Sequence, residues 1–128
     1  MLTDHLIAIA GVAINLAIAV PCMAQDPQMA GYITGDRLIT ACDSRSERDS
    51  ALCLGYIHGV ADAMQASKAS GGALIFGWRA CLPPGTTSQG LRYVAVHFLI
   101  AHPDVRQSSA SGLVAKALSE AYPCPSGK

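Results

Sequence analysis

The sequence predicts an all-α fold, a small antiparallel four-helix domain stabilised by two disulfides. Three observations carry that expectation. Apolar residues recur at helical spacing, most cleanly at Ala110, Leu113, Val114, Ala117, Leu118 and Ala121, which follow i, i+3, i+4, i+7, i+8 and i+11. Short polar or proline-containing links separate the helical windows, so consecutive helices are expected to turn back on one another. Four cysteines, Cys42, Cys53, Cys81 and Cys124, follow an apolar leader, and an even cysteine count in a small exported chain reads as a disulfide framework.

The leader comes first in the chain. Leu6 to Val20 is an almost unbroken apolar run, and Cys22-Met23-Ala24 places small residues at the two positions a signal peptidase inspects. The run is short against the roughly 20 apolar residues of a spanning helix, and Asn15 interrupts it. Residues 1–24 therefore read as a cleaved signal peptide, and 25–128 as a single helical domain in the periplasm, with no stable membrane insertion after cleavage.

Gln25 to Tyr32 carries Pro, Gln and Gly and reads as a lead-in. The first helix is expected from Thr34-Gly35-Asp36 to Cys42, with Thr34 or Asp36 accepting from free N–H groups. Asp43 to Ser50 is wholly polar, an exposed connection or the charged first turn of the next helix.

The second helix is expected from about Ser50 to Lys68. It accepts Gly55 and Gly59, each of which costs about 0.5–1 kcal/mol against alanine in a helix interior. With Ala63 they form one narrow stripe, which reads as a packing face for a neighbouring helix, within the subunit or across a dimer. Beside it, Leu52, Tyr56, Val60 and Met64 supply the bulk.

Ala73 to Trp78 is apolar without helical period and suggests an extended segment laid over the helices, its lone Trp filling a gap, or else a short strand. Cys81-Leu82-Pro83-Pro84-Gly85 dictates a rigid turn, and Thr86 with Gln89 suggests a capping box. The third helix, roughly Thr87 to Ala101, carries one apolar stripe at Leu91, Val94, Ala95, Phe98 and Leu99 and a second at Tyr93, Val96 and Ile100, as a central helix or one at a subunit interface would. His102-Pro103 ends it. Asp104 to Ser109 reads as a polar loop, and the fourth helix runs from Ala110 until Pro123 stops it.

Antiparallel topology selects one cysteine pairing. Cys42 enters at the pole where the second helix begins, beside Cys53, while Cys81 and Cys124 share the opposite pole, so the expected bridges are Cys42–Cys53 and Cys81–Cys124. No C-x-x-C knuckle appears, and neither a metal site nor a cofactor is expected. All nine Lys and Arg and eight of the nine acids follow the leader, giving a nearly neutral domain without a basic run, which argues against nucleic acid as a partner.

Four segments together carry a resemblance: the C-L-G-Y-I-x-G-V-A-D-A stretch at 53–63, C-L-P-P-G at 81–85, the helix end at His102-Pro103, and Ala117 to Cys124. In this combination the chain resembles the Rap/Tai family of immunity proteins over about residues 32–124. The resemblance implies a periplasmic, all-helical, usually dimeric protein that protects a bacterium from peptidoglycan amidases delivered by type VI secretion. It departs from the family pattern between Gly71 and Arg79.

The function so implied is inhibition of an amidase effector by a loop presented to its cleft, with Asp104 and Arg106 as the expected contacts. The alternative is a periplasmic acid-stress or general chaperone-like helical protein responding through His58, His97 and His102, or an orphan family member of other role. An enzyme is not expected. Cys53 as a thiolate with His97 or His102 as base, or a His58–Asp62 pair, would be the residues to carry catalysis.

Overall fold

The computed structural model describes residues 32–65 and 74–125. The signal-peptide reading, and the end of the second helix beyond Gln65, lie outside the described residues. Within them are four helices, α1 (Gly35–Asp43), α2 (Glu47–Gln65), α3 (Ser88–Ala101) and α4 (Ala110–Ala121), with a 3-10 turn at Pro103–Val105. No strand is present among the described residues, only isolated bridges between Thr34 and Ser109 and between Ile75 and Trp78.

Thr34 caps α1, its hydroxyl accepting from Arg37 N at 3.3 Å. The next N–H groups are satisfied by a distant segment, Gly35 N donating to Ser108 O and Asp36 N to Arg106 O, at 3.1 and 3.0 Å. A Cβ at Gly35 would lie 2.6 Å from Leu113 Cδ1 and 3.0 Å from Arg106 O, so only glycine fits where α1 meets α4 and the loop before it.

α2 begins at Glu47, earlier than the polar composition suggested, because Glu47 and Asp49 favour the positive end of the helix dipole. Ser44–Ser46 form the link, and the rest of the polar run is the charged first turn. The buried side of α2 is Cys53, Ile57, Val60, Ala61 and Met64. Leu52, expected among the bulk, is exposed.

α3 is capped by Thr87, which accepts from Gly90 N at 3.1 Å, rather than by a box between Thr86 and Gln89. Thr86 is unavailable because both its N–H and its hydroxyl donate to Pro83 O, closing the turn in which Gly85 takes a φ of 85°. The 74–78 segment is neither an extended strap nor a strand. It is a tight turn on which Trp78 remains 37% exposed, so the lone Trp fills no gap.

The core is shared by all four helices. Leu38 of α1, Ile57 and Met64 of α2, Leu99 of α3 and Val114 and Leu118 of α4 are its fully buried large side chains. Two disulfides join Cys42 to Cys53 and Cys81 to Cys124. The first is buried in the core, whereas Cys81 is exposed and Cys124 half-buried.

Candidate partner-binding surface

The segment after α3 is polar in sequence but held in place throughout. Arg106 donates from Nε to Leu99 O at 2.6 Å and from Nη2 to Ile100 O at 3.2 Å, satisfying carbonyls that the end of α3 leaves open. Gln107 Nε2 donates to the Asp36 carboxylate, and Ala110 N donates to Ile33 O at 3.0 Å. His102 stacks on Phe98, ring centroids 4.2 Å apart, with Nδ1 2.9 Å from Phe98 O. The loop is thereby preorganised against α1 and α3, with Asp104 exposed at its start. Of the two expected contacts, Arg106 is half-buried and occupied by the α3 carbonyls.

The glycine stripe of α2 faces outward. Among the described residues nothing lies within 4 Å of the position a Cβ would take at Gly55 or Gly59, so none of the four helices packs on them. The cause is rotational. Cys53 must face Cys42, Ile57 and Ala61 follow it inward at i+4 steps, and residues two positions further on point about 200° away. Gly55, Gly59 and Ala63 instead floor an open groove of about 520 Å³ with Tyr56, Ile75 and Phe76.

A second exposed apolar surface lies on α3, where Tyr93 is 70% and Ile100 60% exposed, with His97 exposed between them. Of the second stripe read from the sequence, Tyr93 and Ile100 are turned to solvent, whereas Val96 packs against the core.

None of the residues considered for catalysis forms a working constellation among those described. Cys53 is in a disulfide and presents no thiolate. His58 and Asp62 both border an open cleft of about 540 Å³ beneath the Pro83-Pro84-Gly85 turn. His58 Nε2 is buried and has no hydrogen-bond partner among the described residues. Among the described residues, no group of three or more His, Cys, Asp or Glu is placed to hold a metal ion.

The model of the Rap1a immunity proteins matches residues 34–124. The chain belongs to that family. No curated protein and no solved structure matches it. The Rap1a match spans both disulfides, all four helices and the pinned loop, so the scaffold described above is the family domain itself. The sequence pattern missed how Arg106 is used, because a guanidinium that closes a helix end has the same local signature as one in a solvated loop. It also missed Gly35, whose requirement arises from residues more than sixty positions away.

Proposed function

We propose that this Rap1a family member is a periplasmic immunity protein that binds and inhibits a peptidoglycan amidase effector of type VI secretion, without catalysis of its own. The family match over residues 34–124 is the observation that carries this reading. Two disulfides support export through a cleaved signal at residues 1–24, since reduced compartments do not maintain such bonds. Among the described residues no helix is long and apolar enough to cross a membrane.

The inhibitory element in this reading is the 103–109 loop, and its pinning to α1 and α3 supports that role. A loop already held in its bound shape loses little conformational entropy on docking. Asp104 is the contact offered to the effector, and Arg106 supports the loop from behind. The helices run antiparallel in this scheme, and two subunits associate through the α2 groove floored by Gly55, Gly59 and Ala63. An isologous contact of this kind would place the same open stripe on both sides of a two-fold axis.

The test is capture of purified candidate amidases by the oxidised chain from Gln25 onward, with peptidoglycan hydrolysis followed at increasing ratios. Stoichiometric capture with loss of hydrolysis supports the reading. An amidase panel that neither binds nor slows would remove the amidase assignment.

A further inference from the structure

The two disulfides occupy opposite kinds of position. Cys42 lies in α1 and Cys53 in α2, and both are buried in the core, so a thiolate reaches that bond only when the helices part. Cys81 and Cys124 both lie outside the helices, Cys81 in the link before α3 and Cys124 beyond the end of α4 at Ala121. Cys81 is exposed and Cys124 half-buried, so this bond can be attacked with no helix displaced.

Other contacts hold the same two segments together. Cys81 N donates to the carbonyl of Tyr122, two residues before Cys124, at 2.9 Å. Gln65 Nε2 donates to Ala80 O at 2.9 Å, and Ala80 is 2% exposed. Leu82 and Tyr122 pack against the core on either side. None of these contacts requires the S–S bond. With the bond open they keep the two thiols close, at the high effective concentration that favours closing it again. The same link carries Leu82 to Thr86, which form one wall of the cleft whose other wall is His58, Asp62 and Gln65 of α2. The bond from Cys81 to Cys124 is thus the covalent tether of that wall to the end of α4.

We propose that Cys81–Cys124 is a reversible redox clasp, opened by a protein dithiol of the thiol–disulfide exchange class and re-formed without refolding, and that its state sets how firmly the 82–86 wall is held over α2. A thiolate of the donor attacks Cys81 Sγ, an intermolecular S–S bond forms, and the Cys81–Cys124 bond breaks with its electron pair leaving on Cys124. The donor's second thiolate then attacks the donor sulfur of the mixed disulfide and expels Cys81. Two electrons and two protons pass to this chain, which becomes a dithiol, and the donor becomes a disulfide. The proposal stands or falls independently of the immunity reading.

The experiment equilibrates the oxidised protein with graded ratios of reduced to oxidised dithiothreitol, and separately with a reduced thioredoxin-type protein. Alkylation, mass spectrometry and circular dichroism follow on the same samples. The expected result is a species labelled at Cys81 and Cys124 alone that keeps its helical spectrum and returns to the same pairing when the reductant is removed. Amide exchange at Cys81 should be about ten-fold faster in that species, and the C81S/C124S variant, which fixes the open state, should match it. Four cysteines labelled together, loss of helix in the partly reduced protein, or a C81S/C124S variant that does not fold would each overturn the proposal, by making the bond structural. Opening by dithiothreitol with no reaction toward the dithiol protein would also overturn it, by removing the partner.

Discussion

The guanidinium of Arg106 closes the end of α3, its Nε 2.6 Å from the carbonyl of Leu99, seven residues earlier in the chain. A side chain in a polar loop thus completes α3 and holds the backbone that satisfies the start of α1. Arg106 O accepts from Asp36 N at 3.0 Å, so α1, α3 and the loop are tied at one residue.

Arg106→Ala therefore acts on stability before it acts on any partner. Losing charged hydrogen bonds to partly buried carbonyls should destabilise by about 2 kcal/mol. That corresponds to a fall in Tm of roughly 10 °C for a domain of this size. Asp104→Ala, at an exposed residue, should leave Tm nearly unchanged and, on the proposed docking, weaken amidase binding by about ten-fold or more. Thermal melts and titration calorimetry on both variants check this. A D104A protein that binds as tightly as the wild type would take the loop's tip out of the interface.

Gly35→Ala tests the tightest glycine position among the described residues. The added methyl meets Leu113 Cδ1 at 2.6 Å and backbone oxygen of Arg106 at 3.0 Å, and the backbone cannot yield as a side chain can. Destabilisation of about 1–3 kcal/mol is expected, the usual range for overpacking, measured as a lower midpoint in urea with an unchanged slope.

The two disulfides should open in sequence under a rising thiol concentration. Cys81 is exposed and accessible to an attacking thiolate, whereas Cys42 and Cys53 are 2% and 0% exposed. Mass spectrometry after brief reduction and alkylation should find Cys81 and Cys124 labelled first. On the chain-entropy model, the loss of this longer loop, which spans 43 residues, removes about 4 kcal/mol, against about 3 for the loop of 11. Early labelling of Cys53 would contradict the order.

At the start of α2, the Ser44 hydroxyl and then the Arg37 guanidinium hold the Asp49 carboxyl below the ordinary carboxylate range. A depressed carboxyl stabilises the fold fully above its unfolded pKa of about 3.9, and loses that contribution as pH falls through the folded value. The stability gap between wild type and Asp49→Asn should thus be constant at neutral pH and close on acidification below about pH 4. Because Asp49 lies at the surface, the gap should also shrink in high salt.

The helices were legible in the sequence because their signals are local. Ala110 to Leu118 repeats at the period that puts it in the core, and Thr34 caps where a Thr-Gly-Asp start suggests. The cysteine pairing expected from an antiparallel arrangement, Cys42–Cys53 and Cys81–Cys124, is the one found. What was not legible depended on rotation or on distant partners. Whether α2 turned its bulk or its glycines inward was set by one residue, Cys53, and its bond to Cys42. The hairpin at 75–78 was obscured because Phe76 takes a positive φ that its composition does not announce.

The outward glycines give the last prediction, in which two measurements should move in opposite directions. Among the described residues nothing lies within 4 Å of a Cβ at Gly55 or Gly59, so alanine at both positions meets no steric objection there. Each substitution should gain about 0.5–1 kcal/mol from helix propensity, raising the thermal stability of the isolated subunit. In a dimer built on the α2 groove the same methyl groups would hold the two helix backbones apart, and Gly59→Leu more so. Sedimentation equilibrium should then show the G55A/G59A protein dissociating at concentrations where the wild type is paired, while its subunit melts later. A stabilised variant that still dimerises would move the subunit contact elsewhere, and the exposed Tyr93 and Ile100 face of α3 would be the next surface to substitute. A destabilised monomer would instead mean that the stripe is covered within the chain after all, against the open space observed at both glycines.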